Sequence, residues 1–261
     1  MTVLLEHDDV RAEVDPARGG RLISLRLHGH EVLPSAPPPG TPASVGFGVF
    51  AMVPWAGRVR DGRLEVGGAT YQLPVEDDGH ALHGLGKDAV WTHEGDGGLR
   101  ARLGHPWPVE GEAILRYTVR PAGLSIHLAW QADPAVPCTL GLHPWFRRRL
   151  AQGGEARLHL DPLAMVERGG DALPTGRLVE PTPGPWDDCF RVERPPVLEW
   201  PGALRLTLRS SAPWWVVFDQ LDDALCVEPQ TAPPDAFIHP GLQPLGGWPH
   251  EVRLDLDAVA V

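Results

Sequence analysis

Lysine is almost missing from this chain: Lys87 is the only one among its 23 basic residues, and the rest are arginine. Chemistry through a Schiff-base lysine therefore has one candidate, in the glycine-flanked segment Gly86-Lys87-Asp88. Cysteine is scarce too. Cys138, Cys189 and Cys226 are odd in number and scattered, without metal-type spacing, and read as reduced, partly buried thiols. No stretch concentrates Lys and Arg, and the formal net charge is −11, so the surface repels phosphate backbones and nucleic acid is not an expected partner. No segment approaches the roughly 20 apolar residues of a membrane-crossing helix. The first residues, Met1-Thr2-Val3-Leu4-Leu5-Glu6-His7, have no basic region followed by an apolar run. No signal peptide is expected, and the cytoplasm is the expected location. No window of a dozen residues carries the 3.6-residue apolar period of a helix.

What the chain does have is glycine (30) and proline (29), enough to raise the question of disorder. Ten tryptophans and regular apolar runs answer it, because disordered chains are poor in aromatics. Period-two alternation recurs throughout: Ile23, Leu25 and Leu27; Ala113, Leu115, Tyr117 and Val119; Leu124, Ile126, Leu128 and Trp130; Leu204, Leu206 and Leu208; Val252, Leu254 and Leu256. One apolar face at period two marks a half-buried antiparallel strand. Turn signals separate the runs, among them Asp61-Gly62, Gly67-Gly68 and Pro201-Gly202. Many short strands with frequent turns predict an all-β sandwich or barrel with little helix. The Pro-rich stretch from Ser35 to Pro42 reads as a surface loop, and Leu173 to Trp186 as a long excursion. The 261 residues are expected to form a single domain, 1–261.

Four segments place ionisable residues in apolar, Pro-bounded surroundings: Val53-Pro54-Trp55-Ala56-Gly57-Arg58-Val59-Arg60, Ala81-Leu82-His83-Gly84-Leu85-Gly86, Leu140-Gly141-Leu142-His143-Pro144-Trp145-Phe146 and Ala224-Leu225-Cys226-Val227-Glu228-Pro229-Gln230-Thr231. Glu228 ends an apolar run, and a carboxylate desolvated there has a raised pKa and suits general-base work. The same pattern also describes a Glu paired with an Arg at a sheet rim. His143 likewise follows an apolar run and precedes Pro144, which holds its backbone extended. A lone His of this kind is also a common satisfied core residue. The tripeptide His143-Pro144-Trp145 recurs as His105-Pro106-Trp107, so it carries little specificity alone. His80-x-x-His83 has metal-like spacing, but nothing nearby completes a recognised ligand set, and no metal or cofactor is expected.

Taken in order, the segments resemble the aldose 1-epimerase (galactose mutarotase) family. The resemblance is carried by Pro54-Trp55-Ala56-Gly57-Arg58-Val59, Leu82-His83-Gly84, His143-Pro144-Trp145-Phe146, Asp187-Asp188-Cys189-Phe190 and Glu228-Pro229-Gln230-Thr231. It implies a large antiparallel β-sandwich, the galactose mutarotase-like supersandwich, with a sugar cleft on one concave face. It implies Glu228 as general base and His143 as general acid, on opposite sides of the pyranose. It further implies that His83 contacts the sugar and that Arg58 and Asp187 bind hydroxyls. The resemblance assigns His105-Pro106-Trp107 instead to the start of a structural strand. Gly57 stands where the family usually has Asn, Trp145 replaces the common Tyr, and Asp188 beside Asp187 leaves that register open by one residue. Trp55 or Trp145 would offer an apolar face to the ring.

The implied activity is interconversion of the α and β anomers of a hexose such as glucose or galactose, by a monomer or homodimer. Two alternatives stand beside it. A hexose-6-phosphate 1-epimerase would need a cationic pocket, for which Arg147-Arg148-Arg149 is the candidate. A non-catalytic carbohydrate-binding protein would need no acid–base pair.

Overall fold

The computed structural model describes residues 1–38, 41–42 and 44–261. Residues 39 and 40 of the expected Ser35–Pro42 loop lie outside them. Among the described residues the chain is all β, with three short 3₁₀ turns at Arg60–Gly62, Ala236–Ile238 and Pro240–Leu242.

Two large sheets dominate. The larger has eleven strands among the described residues. Its middle runs in the order Arg21–Leu27, Val49–Met52, Gly141–Arg147, Ala224–Gln230, Trp214–Phe218 and Asp187–Val192. The second has eight, centred on Gly111–Arg120, Gly123–Ala132, Glu251–Ala260 and Leu204–Ser210. The strands pair antiparallel throughout both sheets. This is the expected sandwich rather than a barrel, and its helix content is as low as the missing 3.6-residue period required.

The alternation read from the sequence is the packing pattern. Leu124, Ile126, Leu128 and Trp130 turn inward, as do Leu204, Leu206, Leu208, Val252, Leu254 and Leu256. They meet Val49, Ala51, Leu142, Phe146, Leu225 and Val227 of the larger sheet in one apolar cluster. Two polar ties cross between the sheets inside this core. The Tyr117 hydroxyl donates to the Gly20 carbonyl at 2.8 Å, and the Trp200 indole N–H to the Arg147 carbonyl at 3.0 Å.

One strand departs from its expected phase. In Arg21–Leu27 the core-facing residues are Leu22, Leu25 and Leu27, while Ile23 is half-buried. The pairing with Val10–Asp15 shifts register here: Glu13 lies opposite Ser24 and Val14 opposite Leu22, which leaves Ile23 as an extra residue. Such a bulge reverses the side-chain phase beyond it. Arg21 is thereby turned away from the inter-sheet core.

Replacing Tyr117 with Phe leaves the buried Gly20 carbonyl without its donor. We expect a stability loss of about 1–3 kcal/mol in urea unfolding with an unchanged strand signal in far-UV circular dichroism. An unaltered midpoint would show that the tie contributes nothing.

Candidate active site

The face of the larger sheet that points away from the second sheet is the floor of a cleft of about 370 Å³. Cross-strand register decides which residues reach it. Gly141 pairs with Gln230 and Trp145 with Cys226, so His143, midway between, stands opposite Glu228. The row extends one way to Phe50, the partner of His143, and the other way through Val216 to Cys189. The next row is Trp145, Cys226, Phe218 and Asp187. Because strands alternate, the intervening Leu142, Phe146, Leu225 and Val227 belong to the core.

The cleft's other side comes from loops. Arg58–Val59 pairs with Ala81–Leu82 in a two-stranded ribbon, which carries Arg58 and His83 to the cleft. His83 has φ +58°, and Gly84 follows at φ +75°. A Cβ on Gly84 would lie 2.2 Å from the Val53 carbonyl oxygen, which explains the glycine after this histidine. Gly57 is also left-handed, at φ +68°, and a Cβ there would meet Pro234 at 2.7 Å. Gly and Asn both tolerate that backbone. In this chain, however, the space an Asn side chain would need is filled by proline.

His143 Nε2 and Glu228 Oε1 are 3.1 Å apart, and the residues are 5% and 2% exposed. The Gln230 amide N–H donates to Glu228 Oε2 at 3.2 Å. Phe50 stacks on His143 with ring centres 4.5 Å apart, and His83 meets the same imidazole edge-on at 4.9 Å. Burial raises the Glu228 pKa well above the usual carboxyl range. Burial, reinforced by the charge of Arg21, lowers His143 to about 3. Burial and then the neighbouring His143 hold His83 well below the ordinary imidazole value. Both shifts have the same sense: burial favours the uncharged form of each partner, which limits the cost of buried ions.

The structure brings all six sequence-predicted residues, Arg58, His83, His143, Trp145, Asp187 and Glu228, to this one cleft. Asp187, rather than Asp188, occupies the cleft-facing position of its strand, in the row of Trp145, Cys226 and Phe218. Asp188, on the opposite face of that strand, also lines the cleft, beside Arg168. Three expectations need correction. His143 and Glu228 do not face each other across the cleft; they rise side by side from neighbouring strands. Trp55 is buried in the core, stacked on Trp107 at 5.7 Å, and offers no face to a ligand. His105-Pro106-Trp107 lies in a turn between Gly98–Leu103 and Gly111–Arg120, with His105 exposed. His80 bonds instead to the Asp61 amide, so it does not share the place of His83.

Two arginines were not legible beforehand. Arg168 bridges Asp187, at 3.3 Å, and Asp188, at 3.6 Å. Arg21, released from the core by the bulge, is 2% exposed, and its guanidinium lies 4.6 Å over Phe50, opposite His143. It donates to the carbonyls of Phe47 and Ser44, and its charge acts on His143. The only sequence signal was an arginine after Gly19-Gly20, both left-handed in the structure.

The fold and cleft together define a galactose mutarotase-like sandwich. The chain belongs to the aldose 1-epimerase family, whose model matches residues 1–243. Solved structures agree on the fold. A galactose mutarotase-like protein from Clostridium acetobutylicum is 18% identical with a TM-score of 0.83, over 100% of this chain and 95% of that one. The aldose epimerase homologue from C. elegans is 16% identical with a TM-score of 0.79, over all of both chains. Galactose 1-epimerase from Lactobacillus acidophilus is 17% identical with a TM-score of 0.78, over 99% of this chain and 94% of that one. None of the curated proteins matches the sequence.

The paired shifts set a pH dependence of stability. Glu228 is raised, so its contribution is present below about pH 4.3 and lost as pH rises toward its folded value. His143 is lowered, so its contribution is present above about pH 6.5 and lost as pH falls toward about 3. Between about 4.3 and 6.5 the two contributions change with pH in opposite senses. Above about 6.5 the His143 contribution is fully present, and only the Glu228 contribution still changes, falling as pH rises. Urea unfolding of the wild type and a His143→Gln/Glu228→Gln double variant at about pH 5.5 and 7.5 measures this. The wild-type-minus-variant difference should drop at the higher pH, whereas an equal difference would mean that burial does not raise Glu228 through this range.

Proposed function

We propose that the protein is an aldose 1-epimerase that interconverts the anomers of an unphosphorylated hexose, with Glu228 as base and His143 as acid. The observation that carries this reading is the 3.1 Å contact between the two at the floor of a cleft of small-ligand size. In the ionised form of the pair, the Glu228 carboxylate takes the proton of the C1 hydroxyl. His143 Nε2 gives its proton to the ring oxygen, the C1–ring oxygen bond breaks, and C1 becomes an aldehyde. After rotation about the C1–C2 bond the hydroxyl attacks the other face, returning its proton to His143 while Glu228 reprotonates the carbonyl oxygen. Both groups meet the sugar from the sheet side, so the two transfers occur along one edge of the ring.

In this reading Asp187, Arg58 and His83 orient hydroxyls and Trp145 supplies an apolar wall. Trp145 is itself fixed, its indole N–H donating to the Val45 carbonyl at 2.5 Å. No cofactor enters any step. The core cluster spans both sheets, which supports one domain over residues 1–261. No helix among the described residues is long and apolar enough to cross a membrane. A cytoplasmic monomer or homodimer fits this reading.

The choice of an unphosphorylated sugar rests on where the arginines go. Arg147 donates to the Leu33 carbonyl, Arg148 to the carbonyls of Leu221 and Asp219, and Arg149 to Glu155. None of the three lines the cleft. The arginines that do are each tied to carboxylates, Arg58 to Asp78 at 2.8 Å and Arg168 to Asp187 and Asp188. Glu76, Asp77 and Asp78 add negative charge at the same cleft, which disfavours a phosphate.

Polarimetry of α-glucose and α-galactose, with glucose 6-phosphate in a coupled assay, tests the proposal. We expect acceleration of free-sugar mutarotation and a loss of roughly 10²–10⁴-fold on Glu228→Gln with folding intact. A fully active variant would remove Glu228 from the chemistry. Sugar affinity without any acceleration would instead identify a binding protein, and a preference for the phosphorylated sugar would overturn the substrate assignment.

A further inference from the structure

Cys226 has no role in the proton transfers, yet it stands two residues from Glu228 on the same face of the same strand. A ring nitrogen of His143, a carboxylate oxygen of Glu228 and Sγ of Cys226 all lie within 4.8 Å of one another. All three residues are buried beneath the cleft and all three line it. We propose that this trio is a binding site for a thiophilic divalent cation, zinc above all, and that its occupancy switches the acid–base pair off.

The donor set selects the ion. Nitrogen, sulfur and oxygen from three residues, with a fourth position left to the cleft, is the pattern of an open tetrahedral zinc site. Magnesium and calcium seek oxygen donors and gain little from a thiol. Ligand bonds of about 2.0–2.3 Å put tetrahedral ligand atoms roughly 3.3–3.8 Å apart. The His143–Glu228 separation of 3.1 Å is already close to that, and the Cys226 thiol, within 4.8 Å of both, must draw in to complete the set. Charge also balances: a thiolate and a carboxylate against a doubly charged ion leave the buried site neutral with His143 uncharged. Binding releases the thiol proton and the proton held on Glu228. Gln230 holds the free carboxylate oxygen at 3.2 Å, which orients Glu228 as a one-oxygen ligand.

His143 Nδ1, by contrast, is buried without a partner among the described residues. Metal-ligating histidines gain about 10–100-fold in affinity from such a partner. Its absence here suits reversible inhibition rather than a resident ion. The metal would sit on the two atoms that must trade protons with the sugar, so inhibition should be competitive. That half of the proposal rests on the epimerase reading; the binding half does not.

The test starts from chelator-stripped protein titrated with Co²⁺, followed by Zn²⁺. We expect a thiolate-to-cobalt absorption band that saturates near one equivalent and is displaced by zinc. Cys226→Ser should abolish the band, although Cys138 and Cys189 remain. Glu228→Gln keeps the thiol and should weaken binding roughly tenfold or more, so the site is still tested if the serine variant does not fold. No band in the wild type, or a full band in Cys226→Ser, would overturn the site. Zinc should raise the apparent KM of the wild type, and a bound site with unchanged mutarotation would overturn the switch. A wild type without mutarotation would defeat the epimerase reading while leaving the cobalt result interpretable.

Discussion

Gly141–Arg147 and Ala224–Gln230 are hydrogen-bonded neighbours, and their register sets Gly141 against Gln230 and Trp145 against Cys226. Everything at the cleft floor depends on it. A slip of one residue would carry Glu228 into the inter-sheet core and bring Val227 out to the cleft. The apolar residues between the polar ones guard against that slip: Leu142, Phe146, Leu225 and Val227 are each at most 1% exposed and pack into the shared core. The hydrophobic cluster that holds the two sheets together is therefore also what aligns acid with base.

The site keeps two ionisable groups almost free of water, which is costly unless their charges cancel. Burial drives both partners toward their uncharged forms across a 3.1 Å contact, which meets this condition. Arg21 complicates it in a useful way. A bulge at Ile23 turns the arginine beneath Phe50, where a fixed positive charge lies across the ring from His143 and disfavours a second proton there. A backbone irregularity three strands from Glu228 thus bears on the proton affinity of the acid.

Much of this was legible in the sequence, in uneven measure. Strand alternation showed the core because Leu and Val recur at period two on one face. The phase change in Arg21–Leu27 stayed hidden because Leu22 and Ile23 are both apolar and fit either register. Two adjacent aspartates could not be told apart by type; pairing with Phe218 separated them. Trp55 and Trp145 look equivalent as aromatics after a proline, yet one lies in the core and the other at the cleft, a difference that only the loop path between strands decides. Arg21 and Arg168 belong to none of the recurring phrases, since their roles come from geometry across strands.

The left-handed backbone at Gly57 and the proline packed against it have a bearing on how this cleft can change over generations. A side chain at position 57 is blocked while Pro234 stands 2.7 Å from where its Cβ would be, although the backbone there would accept asparagine. Regaining an asparagine beside Arg58 thus depends on the order of substitutions, with a change at Pro234 first. Single-step searches for altered sugar preference would miss that route, whereas paired libraries at the two positions would open it.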